Sequence, residues 1–518
     1  MANPGGVGHP AQVTTPAEPA ATGKPRWWSS AHAWVTTTYY AEGFPYSIVN
    51  NLAEYLFKEL GASLQAIGLT AAFHLPWNIK FLWGPFLDQY ETKRRWLLAT
   101  EVVLSVLLLV LAAFATSAAM IGAVSVCFMV MAVFSATHDI AIDGYYLEGL
   151  DEEGQSRYVG YRAAAYKLAS ATVRGPLFIF IGYVGWQVGL VTAAVMMGAL
   201  TAFHAVALPR VERRGSSIVA LPRLLASRPY LTAAAVAAIG IAIWREEIFG
   251  PDLAETVVAP VREWIASLRW RVAISVPRWI GLGRLAVLLA MLAALPWLRR
   301  RMEASDSQYA RSFVDFLAQP QVGRILAFVM LFRTGESFLE KMRLPFMMDE
   351  AGLSGPEYGW LNGTVGLLAV FVATIVGGRL IARDGLRRWI WRFVLAQNVL
   401  NLSYAVVALF PDPSAIPTWG IGVVIVAEHF GAGLGTAVFM VYLMRACDPA
   451  HKAAHMALLT ALMSVGYTVA GIASGFLAAA MGYAAFFGLT FVATIPMMAL
   501  IPFVPFIDGR AAASGAAR

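Results

Sequence analysis

The chain has 518 residues, of which 58% are hydrophobic and only 14% charged, against about 25% charged in an ordinary soluble domain. That composition cannot clothe a water-soluble surface, so lipid is expected to surround most of the chain. The net charge of +7 is scattered over short segments between apolar runs, a pattern that fits basic loops and excludes a nucleic-acid-binding face.

Residues 1–30 are rich in Ala, Pro, Gly and Thr and carry no apolar signal-peptide core, so a disordered cytoplasmic tail is expected there. A membrane span needs about 20 mostly apolar residues. Such runs fall near 33–52, 63–87, 97–116, 119–148, 158–180 and 186–207, and again near 322–346, 356–380, 389–410, 417–445, 453–479 and 484–506. Two more, near 229–245 and 281–298, stand between the groups. The expected organisation is an all-α membrane protein with a six-helix lobe over 31–208 and a second over 321–507. A linker over 209–320 with two inserted helices and a disordered tail over 508–518 complete it, giving about 14 spans.

Lys and Arg set the orientation. "KRR" (Lys93, Arg94, Arg95), "RVERR" (Arg210 to Arg214), "RRR" (Arg299 to Arg301) and "RDGLRR" (Arg383 to Arg388) all fall on one side if the chain starts in the cytoplasm. Both termini are then cytoplasmic. The segment 246–280 is expected on the periplasmic surface as an amphipathic stretch, although its basic charge runs against the trend. Cys127 and Cys447, each in or beside an apolar run, read as buried spectators.

The halves carry a faint repeat. "GPFLDQYETKRRW" ends the second run and "GRLIARDGLRRW" ends the eighth, sharing a glycine and a terminal Arg-Arg-Trp. A repeat of six plus six spans is the sequence sign of a two-lobed secondary transporter.

Polar groups inside the runs are the candidate pathway residues, because burying them in lipid is costly. In the first span, Tyr39, Tyr40, Glu42 and Asn50 are candidates for binding a hydroxyl- or amide-bearing solute, and Gly43 and Pro45 can break the helix to free backbone groups. Asn78 is a similar candidate in the second span, where Lys80 is able to snorkel to the surface. In "SATHDIAIDGYYLEGL" the carboxylates of Asp139 and Asp143 are spaced i, i+4 and share a helix face. Two such neighbours repel, so one is expected to hold a proton, as a proton-coupled carrier requires. The competing reading pairs them with Arg157, Arg162 or Lys167. His138 reads equally as a proton relay or solute contact and as a packing residue, and Glu148 as a solvated helix end.

In the seventh span Arg333 and Glu336 stand at i, i+3 and can pair; a solute-binding Arg333 and a coupling Glu336 are expected. In the tenth, Glu428 is a coupling candidate and His429 a solute contact. The nearby Gly431, Gly433 and Gly435 lack the preceding strand of a dinucleotide fingerprint and suit close helix packing. No Walker motif, metal-ligand spacing or nucleophile elbow occurs, so no catalytic residue, metal or cofactor is expected.

Several of these stretches resemble a known family. Gly84, Asp88, Arg94 and Arg95 resemble the gating signature between the second and third helices of the major facilitator superfamily. The first copy has Gln89 where a basic residue is usual, and the second has Ala382 where the acid would stand. Within that superfamily, "EGFPYSIVNNL", "AIGLTAAFHLPWNIKFLWGPFLDQY" and "THDIAIDGYYLEGL" look like the AmpG-type muropeptide permeases and the related acetyl-CoA transporters, with His138 in place of a usual Gln. The two inserted spans are also typical of AmpG-like members. The resemblance implies the major facilitator fold and a proton symporter of the bacterial inner membrane that imports a wall-derived muropeptide or related sugar-peptide. An oligosaccharide, siderophore or acyl-CoA carrier and a non-transporting membrane receptor are the alternatives. The partners implied are a small solute, protons and the bilayer, with no nucleic acid.

Overall fold

A computed structural model describes residues 27–80, 83–210, 314–448 and 452–508. The tails beyond these limits, both expected inserted spans and the 246–280 segment lie outside the described residues. Within them the chain forms twelve helical rods. The first six are α1 (31–59), α2 (64–79), α3 (Lys93–Phe114), α4 (Ile121–Gly149), α5 (152–184) and α6 (Trp186–Ala207). The second six are α7 (322–349), α8 (Gly355–Asp384), α9 (Leu386–Ala408), α10 (Thr418–Ala446), α11 (Lys452–Met481) and α12 (Tyr483–Phe503).

Seven of the rods, α3, α4, α6, α8, α10, α11 and α12, are long and apolar enough to cross a membrane by length and composition. Of the other five, α1, α2, α5 and α7 are interrupted or polar, and all four face the centre of the molecule. The interruptions have local causes. Pro45 lies in α1 just before a π-helical turn at Ile48–Leu52, and Pro176 lies inside another at Val173–Leu177 of α5. A third π turn spans Gly359–Gly366 of α8. α7 breaks at Arg333, whose φ of −101° and ψ of 9° leave the helical region. Such turns release backbone groups and re-aim side chains, which is why they collect at functional sites.

The two lobes repeat one another. α1 packs on α5 as α7 packs on α11, and α3 packs on α4 and α6 as α9 packs on α10 and α12. The tight joints agree: Gly185 between α5 and α6 and Gly482 between α11 and α12 both take positive φ, of 86° and 76°, which glycine adopts without steric cost. The faint sequence repeat also has a structural basis, since Trp96 donates its indole N–H to the Tyr90 carbonyl at 2.7 Å and Trp389 donates to Asp384 at 3.0 Å.

The lobes meet through α2 against α11 and α5 against α8. These seams lie in the half of the molecule away from the basic loops, here called the far side; the loops carrying Lys93–Arg95 and Arg383–Arg388 mark the basic side. Far-side closure is tight because glycines let backbones touch. A Cβ on Gly363 would sit 1.7 Å from the Arg174 carbonyl oxygen, and one on Gly475 would sit 2.1 Å from that of Leu64.

Candidate functional site

A cavity of about 390 Å³ lies between the lobes, lined by α1, α2, α5, α7, α8, α10 and α11. The three π turns all contribute to it, with Asn50 and Asn51 from α1, Arg174 from α5 and Asn362 from α8. Aromatic hydroxyls come from Tyr46, Tyr166 and Tyr467. The lining is thus polar and aromatic at once, suited to a solute with hydroxyl, amide and apolar faces.

Most of its charges are paired. The Arg333 guanidinium forks onto Glu336 at 2.6 and 3.0 Å, and Gln397 of α9 donates to the same carboxylate at 2.9 Å. Arg343 donates to Glu428 at 2.7 Å, with His429 Nδ1 at 2.8 Å from that carboxylate. Arg174 reaches across the lobes to Glu340 at 2.6 Å. Two further cross-lobe pairs continue toward the far side: Lys341 with Glu54 at 3.1 Å and Lys58 with Asp349 at 2.5 Å. A polar chain joins the lobes beside the cavity: Asn50 to His74 at 3.0 Å, His74 to Ser464 at 2.5 Å, and Ser464 to Asn78 at 2.6 Å.

A second cluster lies inside the first lobe toward the basic side. Lys80 donates to Asp139 at 2.5 Å. Arg162 lies 2.9 Å from Asp143, and the Tyr39 hydroxyl donates to the same carboxylate at 2.8 Å. Glu42 joins them: carboxylate oxygens of Glu42, Asp139 and Asp143 lie within 4.8 Å of one another. Glu42 is only 7% exposed, and its Oε2 has no hydrogen-bond partner among the described residues. Three carboxylates therefore share two cations, a charge balance that one proton or one small monovalent cation would complete.

Of the residues singled out in the sequence, Asn50, Arg333, Glu336, Glu428 and His429 line the cavity. Tyr39, Glu42, Asp139 and Asp143 gather in the carboxylate cluster instead. Asp143 does pair with Arg162, as the competing reading had it, whereas Lys80 is drawn to Asp139 rather than to the surface. Tyr40 bonds Thr172 of α5 at 3.1 Å, and Asn78 pins α2 to α11 through Ser464 and Thr468. His138 is fully buried on another face of α4, with Nε2 3.4 Å from Glu101, whose carboxylate also meets His204 at 2.7 Å. That group binds α3, α4 and α6 together and does not touch the cavity. Gly84 has open space around it, and the Asp88 side chain lies outside the described residues. Arg94 donates to the Ala205 and Leu208 carbonyls at the end of α6, and Arg95 pairs with Glu91. Gly431 and Gly433 do serve packing, against α9 and α8 respectively.

His74, Arg174, Glu340 and Arg343 also line the cavity, and the sequence did not single them out; Lys167 figured there only as a partner for the acids. One signal was available: Lys167 and Arg174 stand seven residues apart in "KLASATVR", hence on one helix face.

Residues 43–203 match the family model described as BT1 family, and residues 325–515 match that of the Major Facilitator Superfamily. An uncharacterized protein of Haemophilus influenzae is 24% identical across 89% of this chain and 91% of its own length. An anhydromuropeptide permease of Escherichia coli is 23% identical across 89% of this chain and 77% of its own. Among solved structures, a POT family transporter in complex with a thioalcohol-conjugated peptide superposes with a TM-score of 0.63 at 13% identity, covering 92% of this chain and 96% of that one. The inward open conformation of the xylose transporter XylE from E. coli gives 0.55 at 12%, covering 92% and 97%. The fold is thus that of the major facilitators. The likeness to AmpG-type permeases, most specific in the first four spans, covers most of the chain as expected. This is a multi-pass membrane transporter, and its named relatives are permeases and not enzymes.

Proposed function

We propose that the protein is a proton-coupled symporter that carries a wall-derived muropeptide, or a closely related sugar-peptide, into the cytoplasm across the bacterial inner membrane. The observation that carries this reading is the polar, aromatic cavity between two lobes whose backbones meet tightly on the far side, in a chain similar to an anhydromuropeptide permease over 89% of its length. The loops on the basic side belong in the cytoplasm by the positive-inside rule, with both termini there. The tight far-side seams then close the cavity from the outside, and alternating access proceeds by rocking of the lobes about it. Uptake of labelled anhydromuropeptide into vesicles under an imposed proton gradient tests the reading; no uptake sinks the substrate assignment.

The coupling proton is assigned to the Glu42, Asp139 and Asp143 cluster, where carboxylates outnumber cations by one. Glu336 and Glu428 each meet an arginine and shape the solute site. Replacing Glu42→Gln or Asp143→Asn is expected to abolish accumulation against a gradient while solute exchange across the membrane persists. Accumulation that survives both changes would place the proton elsewhere.

A further inference from the structure

The cavity's charges do not balance. Four cations line it, Lys167, Arg174, Arg333 and Arg343, against three carboxylates, Glu336, Glu340 and Glu428. Each arginine is matched to one carboxylate at 2.6 to 2.7 Å. Lys167 remains, and among the described residues no carboxylate lies within ion-pairing distance of it. It is exposed into the cavity from the middle of α5. Any charge on His74 or His429 would only add to the excess. An ammonium facing a water-filled space between low-dielectric walls focuses a positive potential there, and such a group in a membrane protein is retained where something pairs with it.

We propose that Lys167 is the anchor for an acidic group of the solute, a carboxylate that enters the cavity as its one missing counter-charge. This rests on the cavity being the solute site, and it narrows the substrate to molecules with an acidic group at one end. Ser170, one turn further along α5 and also lining the cavity, stands where its hydroxyl can donate to the same anion. The hydroxyl and amide groups of the solute would face the asparagines of the π turns. The three arginines do not compete for the anion, because each already holds a carboxylate that would lose its counter-charge.

The test places a reporter beside the lysine. In the full chain carrying Ser170→Cys, the labelling rates of anionic and cationic methanethiosulfonates report the local potential; Cys127 and Cys447 are buried. The expected result is a preference for the anionic reagent that falls about tenfold on Lys167→Gln and returns with Lys167→Arg. Solutes offered in pairs, each acid beside its carboxamide, should slow labelling only as the acid, and only while the cation is present. An unchanged rate ratio in Lys167→Gln overturns the inference, as does equal protection by acid and amide in every pair. If anhydromuropeptide fails to protect while another carboxylate-bearing solute succeeds, the anchor stands and the muropeptide reading falls.

Discussion

Removing the Arg343 guanidinium, as in Arg343→Leu, is expected to destabilise the protein by about 3–5 kcal/mol, the usual cost of stranding a buried charge. Both members of the pair are almost wholly enclosed, with side-chain exposures of 5% for Arg343 and 2% for Glu428. Without the guanidinium, Glu428 keeps His429 Nδ1 at 2.8 Å and the distant Tyr404 hydroxyl at 3.4 Å, too little to replace a full counter-charge. The double change Arg343→Leu with Glu428→Leu should recover most of the loss, since paired charges in a low-dielectric interior often gain little over apolar packing. Thermal unfolding of the single and double variants in detergent measures the coupling between the two sites. Equal destabilisation of both would mean that the pair is not what holds α7 to α10. The same double variant separates structure from coupling: if it folds and still accumulates solute, Glu428 plays no part in proton movement.

Valine at Gly363 or Gly475 is expected to stop net transport while leaving each lobe folded. The atoms in the way are backbone carbonyls of the other lobe, those of Arg174 and Leu64, which cannot rotate aside as a side chain would. Overpacking of this kind costs about 1–3 kcal/mol, and here it falls only on the conformation in which the far side is shut. Each 1.4 kcal/mol moves a two-state equilibrium about tenfold, so the lobes should rest open toward the far side. Reactivity of Asn51→Cys or Asn362→Cys toward an impermeant thiol reagent added from that side reads the shift, and uptake rates read its consequence. Wild-type uptake in both valine variants would mean that the seams separate less than the rocking scheme requires.

The helix boundaries were largely legible because continuous apolar runs bounded by charge leave little choice in lipid. α6 falls where its apolar run does, and α4 and α10 within two residues of theirs. The π turns were not legible: Asn50 and Asn51 advertise polarity, but the bulge that turns them inward depends on what α1 packs against. Partnership across the lobes was hidden for a simpler reason. Glu54 and Lys341 are 287 positions apart, and neither belongs to a local pattern. His138 shows the limit of reading neighbours together. Adjacent residues on a helix point in different directions, so it parts company with Asp139 and turns to α3 and α6. Glu42 shows the reverse: assigned to the solute from its place among tyrosines and asparagines, it meets the α4 acids that sequence alone kept apart from it.

α4 and α10 are each 29 residues long, and they occupy matching places in the two lobes. Counted from their first residues, Asp139 and Asp143 of α4 stand level with Thr436 and Met440 of α10. Two halves of one architectural plan have therefore drifted into different trades. The first keeps the acidic cluster proposed to carry the coupling ion, while the second supplies most of the arginine and glutamate side chains around the cargo. Two repeated lobes that divide labour in this way can change cargo without disturbing the energy source. Relatives that move other solutes should then differ mainly along the cavity-facing parts of α5, α7 and α10, while Glu42, Asp139 and Asp143 stay alike.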